Sequence, residues 1–138
     1  MAAAELVTIE VAPVDELVEG PVRILKIDTQ GSEWFALEGA RRLLAASPEL
    51  ALLIEFWPYA LRGATPEQLL RRLADLGFTL GKATAAPYPM SPERILAQAR
   101  AGDPRKSGLD LYGTRGLPFH VLGLARRLHG LARSLKEA

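Results

Sequence analysis

Two apolar runs constrain this chain more than anything else in it. Val22 to Ile27 and Leu50 to Phe56 each read as a β-strand, and each ends beside a carboxylate, Asp28 and Glu55. Between them, Leu37, Ala40 and Leu44 fall at helical spacing. The stretch from Ser32 to Ala46 therefore reads as one crossover helix, capped by Ser32 with Glu33 in its first turn. A strand, a helix and a second strand predict a parallel pair, because parallel strands need a long crossover. Strands in such sheets are buried on both faces. Lys26 inside the first run then needs an acidic partner, with Glu55 or Asp28 in reach, since an unpaired buried charge is costly. In open α/β sheets ligands bind at the carboxyl ends of strands, which is where Asp28 and Glu55 stand.

The rest of the chain continues the alternation. Val7 to Val11 reads as a short strand or edge segment, and Asp15 to Gly20 as a turn or short helix. Thr65-Pro66-Glu67-Gln68 is a capping box with proline at the first helical position, and Gly77 is a stop signal. Phe78 to Leu80 is a third strand, Ser91-Pro92-Glu93 opens another helix, and Leu109 to Tyr112 reads as a last strand. Val121, Leu124, Leu128, Leu131 and Leu135 make one stripe of a terminal helix, with Arg126, Arg127, Arg133 and Lys136 opposite. Such a helix covers a core, docks on a partner or lies on an anionic membrane. The predicted fold class is α/β. Residues 1–116 form the sheet domain and residues 117–138 the basic amphipathic helix.

The wording Lys26-Ile27-Asp28-Thr29-Gln30-Gly31-Ser32-Glu33, followed by Leu37-Glu38-Gly39-Ala40, resembles the FkbM-type family of S-adenosylmethionine-dependent methyltransferases. Val14-Asp15-Glu16-Leu17 and Leu52-Leu53-Ile54-Glu55-Phe56 extend the resemblance, which covers roughly Val7 to Leu80. It implies a doubly wound, Rossmann-like sheet and transfer of a methyl group to a hydroxyl of a sugar or secondary metabolite. It also implies S-adenosylmethionine as cofactor and a small-molecule or glycan acceptor as partner. A Rossmann-like cofactor site uses a glycine-rich turn after its first strand, and no such cluster follows a strand here. The expectation is therefore the C-terminal, substrate-side half of the sheet, without its first strands. That half would bind the cofactor weakly alone and could be completed by a partner chain. A non-catalytic remnant or binding module with the same fold is the alternative.

The candidate residues carry competing readings. Asp28 and Glu55 are the candidate catalytic pair: one contacts the cofactor or orients the acceptor hydroxyl, and the other accepts its proton. Asp28 is also the candidate cofactor contact. Against this, Glu55 could be a buried ion-pair partner of Lys26. Gln30, Glu33 and Trp57 are candidate substrate-binding residues. Gln30 could equally be solvated, and Glu33 could serve only the helix dipole. Gly31 is expected at positive φ, and Gly39 where helix packs closely on strand. Trp34, Phe35, Phe56, Trp57 and Tyr59 either line an acceptor pocket or pack the core.

Several classes are disfavoured. The chain has 138 residues, 49% of them apolar, and no cysteine, so disulfides and thiolate metal sites are excluded. His120 and His129 have no carboxylate at ligand spacing, and a metal-dependent hydrolase built on Asp28 and Glu55 lacks further ligands, so no metal is expected. A net charge of +1 gives no nucleic-acid footprint. No run approaches the ~20 apolar residues of a membrane span, and no secretory signal is visible, which makes a cytoplasmic location the default expectation.

Overall fold

The structure is a computed structural model that describes residues 7–103 and 108–119. In chain order it contains α1 (Val14–Leu17), β1 (Ile24–Ile27), α2 (Glu33–Glu38), α3 (Arg41–Ala46) and β2 (Leu50–Phe56). Then come α4 (Pro66–Asp75), β3 (Thr79–Lys82), α5 (Pro92–Arg100) and β4 (Leu109–Arg115). The four strands form one sheet in the order β1-β2-β4-β3. β1 and β2 are adjacent and parallel, in a register that sets Lys26 beside Leu53 and Ile27 beside Ile54. β4 runs antiparallel to both β2 and β3, which makes β3 parallel to the first two strands. The expected β-α-β unit is present, and a mixed sheet replaces an all-parallel one.

The described helices share one buried core with one face of this sheet. Leu50, Leu52, Ile54 and Phe56 alternate along β2 and are buried, together with Leu37, Leu44, Leu69, Leu73 and Ile95 from the helices. The reason is topological. From β1 to β2 to β3 the chain advances in one direction across the sheet, and parallel crossovers share one hand in about 98% of cases. Successive crossovers in one direction therefore stack their helices on one face. A doubly wound sheet needs a parallel crossover in the reverse direction, and among the described residues the one step back, from β3 to β4, is antiparallel. The fold here is a mixed α/β sheet of the kind a Rossmann-like half contains.

Several local expectations are corrected. The crossover is two helices, broken at Gly39-Ala40. Alanine is a poor cap, and Asp15 supplies one from a distant segment: its two carboxylate oxygens accept from the backbone N–H groups of Arg42 (2.8 Å) and Leu43 (2.9 Å). Burial opposes ionisation of Asp15, but these two donors and the nearby Arg42 charge outweigh it and lower its pKa. Gly39 packs closely against Pro13, whose Cα lies 3.3 Å from where a Cβ would stand, and not against a strand. Ser32 makes no cap bond; its hydroxyl accepts from the Arg62 guanidinium at 2.7 Å. Val7 to Val11 joins no strand and is exposed. β1 starts at Ile24, and the Val22 N–H before it donates to the Ser47 hydroxyl at 2.9 Å.

The remaining elements follow their signals. Thr65 and Gln68 form the reciprocal capping box. α4 ends in a Schellman motif, with Gly77 at φ +84° and the Phe78 N–H donating to Leu73 at 3.1 Å. The terminal stripe from Val121, both histidines and nearly all of the second predicted segment lie outside the described residues.

Candidate functional site

The carboxyl ends of β1 and β2 open into a cleft of about 280 Å³. Its polar lining is Lys26 from β1, Asp28 just past the end of β1, Glu55 from β2 and Asp110 from β4. Asp28 and Glu55 meet here because parallel neighbours bring their carboxyl ends to the same edge of the sheet. Glu55 sits directly across from Asp110 in the β2–β4 register, where like charges repel. Sequence alone does not single out Asp110. Its apolar neighbours Leu109 and Leu111 mark a strand, but nothing local shows that the strand lies next to β2.

The charges around Glu55 are unbalanced. Burial is the largest influence raising its pKa, followed by Asp28, Glu33 and Asp110, and among the described residues Lys26 opposes them. Its Oε2 is buried and has no hydrogen-bond partner among the described residues. Such a carboxyl retains a proton to higher pH than an ordinary glutamate and can accept one at a cleft wall.

Lys26 is not buried, and it does not pair with Glu55. Its ammonium bonds Asp28 Oδ2 at 3.0 Å, with 66% of the lysine side chain exposed. β1 is an edge strand among the described residues, and its Lys26 side points away from the helical layer. The bond to Asp28 raises the pKa of Lys26. Pairing with an acid was the correct expectation; burial was not.

Glu33, a candidate substrate-binding residue or a complement to the helix dipole by sequence, is turned inward. It is 1% exposed. Its Oε1 accepts from the Thr29 N–H (3.3 Å), the Thr29 hydroxyl (3.1 Å) and the Gly31 N–H (3.0 Å). It faces the turn between β1 and α2 from within. Gln30 is exposed on that turn at φ +48°, followed by Gly31 at φ +99°. A Cβ on Gly31 would collide with the Ala60 backbone carbonyl, and the Gly31 carbonyl accepts from the Arg62 N–H at 2.8 Å. Gln30, Glu33 and Trp57 do not line the cleft; Trp57 is half-buried with Gly108 packed against it. Phe56 is core, whereas Phe35 and Tyr59 are exposed. Among the described residues no cluster of ligand-type side chains could hold a metal ion, and no helix is long and apolar enough to cross a membrane.

A mixed α/β sheet with acids at neighbouring strand ends is the framework of nucleotide-cofactor enzymes of the methyltransferase kind. The chain matches the methyltransferase FkbM domain over residues 2–80, more than half its length, and it belongs to that family. Curated proteins and solved structures give no match. The matched region contains Asp28, Gln30, Glu33, Glu55 and Trp57, and stops short of Asp110.

The family implies S-adenosylmethionine as cofactor. The carboxylates of the cleft suit the hydroxyls of a ribose or of an acceptor. A backbone cradle for the methionine moiety is not found among the described residues: the glycine turn after β1 is filled by Ala60 and closed from below by Glu33. The described residues therefore fit a hydroxyl-bearing ligand and supply no phosphate- or methionine-type nest.

Proposed function

We propose that this domain methylates a hydroxyl oxygen, on a sugar or secondary-metabolite acceptor bound at the cleft of Asp28 and Glu55. S-adenosylmethionine supplies the methyl group in this family. Glu55 accepts the hydroxyl proton. Asp28 orients the hydroxyl or contacts the cofactor, held by Lys26. The observation that carries this reading is the shared cleft: two carboxylates on neighbouring parallel strand ends, one of them with its proton affinity raised by burial and by other acids. Methyl transfer requires alignment above all, and a single positioned base adds about 10²–10⁴-fold.

The test is transfer of isotope-labelled methyl from S-adenosylmethionine by the full chain to a panel of sugars and polyols. Glu55→Gln should lower transfer by about 10²-fold, and Asp28→Asn should lower it as well. Unchanged transfer by Glu55→Gln removes Glu55 from the chemistry. No transfer to any hydroxyl-bearing acceptor overturns the reading.

A further inference from the structure

We propose that Glu33 is a positioning residue for this reaction: from beneath the turn, its carboxylate ties Thr29 and Gly31 and so holds Asp28 at the cleft beside Glu55. The inference rests on the methyltransferase reading of Asp28 and Glu55 and assigns a role to a third acid that touches no ligand.

Three observations lead to it. First, Glu33 is almost fully buried in the first turn of α2, where the helix dipole alone does not replace the water its carboxylate has lost. Donors must replace that water: three converge on Oε1, while Oε2 is buried with no hydrogen-bond partner among the described residues. Second, all three donors belong to the turn that begins at Asp28. That turn holds two consecutive residues at positive φ, one of them the non-glycine Gln30. Sparsely populated backbone of this kind persists only where its surroundings over-determine it. Glu33 from inside, and Arg62 on the Gly31 carbonyl, provide that constraint. Third, the Glu33 carboxylate is among the causes that raise the pKa of Glu55, after burial and Asp28.

The groups whose charges act on Glu55 are Asp28, just past the end of β1, Lys26 from β1, Asp110 from β4 and Glu33 from α2. The negative charge of Glu33 adds to that of the other two acids and holds a proton on Glu55. Removing it lowers the pH at which Glu55 titrates. One buried side chain thus sets the position of Asp28 and biases the protonation of Glu55.

The test compares the full-length wild type with Glu33→Gln and Glu33→Ala. Glutamine keeps one oxygen for the three donors but loses the charge; alanine loses both. Two readouts do not depend on catalysis: the ¹³C-carboxyl titration of Glu55 and the exchange rate of the Gly31 amide. Glu55 should titrate at lower pH in both variants, and Gly31 should exchange about 10-fold faster or more in Glu33→Ala. In the methyl-transfer assay kcat should fall in both, by up to about 10² for a displacement near 1 Å, with the acid limb of the pH profile following Glu55 downward. Should Glu33→Ala fail to fold, Thr29→Val removes one donor from the other side and should speed Gly31 exchange and lower kcat in the same direction. A Glu55 titration and Gly31 exchange identical to wild type overturn the proposal, as does a lowered melting temperature with kcat and pH profile unchanged. A wild type without methyl transfer, showing both NMR changes, overturns the methyltransferase reading and with it the catalytic part of the proposal, while the tie between Glu33 and the turn stands.

Discussion

Arg115 joins two helices to the sheet, and its removal is the most consequential stability change the structure predicts. It ends β4, and its guanidinium donates through Nη1 to the Leu76 carbonyl at 3.0 Å and through Nη2 to the carbonyls of Leu44 and Ser47 at 2.5 Å each. Those carbonyls belong to the C-terminal ends of α4 and α3, where the helix dipole is negative. No carboxylate pairs with Arg115 among the described residues, so the two helix ends serve as its counter-charge. Burial lowers its pKa, although a guanidinium stays charged at any working pH. The head also lies 5.1 Å from the centre of the Phe78 ring.

Arg115→Met keeps an apolar stem against Phe78 and removes the charged head. Hydrogen bonds to charged groups contribute roughly 1.5–3 kcal/mol each, which summed over three bonds is an upper bound. Carbonyls at helix ends recover part of that from water. A cation at a partly buried helix end stabilises by up to about 2 kcal/mol, and two ends are served here, so a net loss of about 2–4 kcal/mol is expected. Against a total stability of roughly 5–15 kcal/mol this is large. Urea unfolding followed by circular dichroism, with a slope of about 1–3 kcal/mol/M, should show the midpoint falling by at least about 0.7 M. Arg115→Lys should recover part of the loss, because one ammonium carries the charge but cannot fork to three carbonyls. A methionine variant within about 0.5 kcal/mol of wild type refutes the argument, and a lysine variant no better than methionine refutes its electrostatic half.

Gly31→Ala should destabilise by at least about 2 kcal/mol, since it combines a φ of +99° with a backbone collision at Ala60; an unchanged melting temperature counts against the turn as described. Lys26→Met should leave the urea midpoint where it is, because the lysine is an exposed partner of Asp28; a large fall would show that the side chain is buried after all. Glu55 has a pKa above the ordinary 4.5, so between the two values the folded state holds the extra proton. Its contribution is present at low pH and lost as pH rises through the raised value. Glu55→Gln should therefore stabilise the protein relative to wild type at neutral pH and converge with it near pH 4; a variant less stable than wild type at pH 7–8 would contradict the sign.

The strands, the capping box at Thr65 and the stop at Gly77 were legible because local chemistry decides them: β2 falls on the residues its apolar run marks, and α4 begins at its proline. The family was legible for a related reason, since the Lys26–Glu33 segment sets several polar residues at fixed spacing. What failed was non-local. Whether Lys26 is buried depends on which strands flank β1. The break at Gly39-Ala40 depends on Asp15, which reaches α3 from across the chain. Asp110 joins the site only through the β2–β4 register. The inward turn of Glu33 depends on the φ values of Gln30 and Gly31, to which its spacing from Asp28 gives no clue.

The acids of the cleft break the rules that the rest of the fold obeys. Elsewhere charges are complemented: Arg100 with Glu67, Arg72 with Glu38, Asp15 with a helix end. At the end of β2, Glu55 faces Asp110 across the ladder and has Asp28 and Glu33 nearby, with Lys26 as the opposing charge. A structural role does not explain this arrangement, since glutamine at Glu55 would relieve the repulsion without loss of volume. Sequences that agree with their fold at every other level keep such conflicts where function requires them. The conflict also has a defined chemical consequence, because it raises the proton affinity of one carboxyl at the wall of a cleft that a hydroxyl can enter. The instability of Glu55 at neutral pH and its fitness as a proton acceptor are thus one physical fact, and the Glu55→Gln variant should show both at once: a firmer fold and a slower transfer.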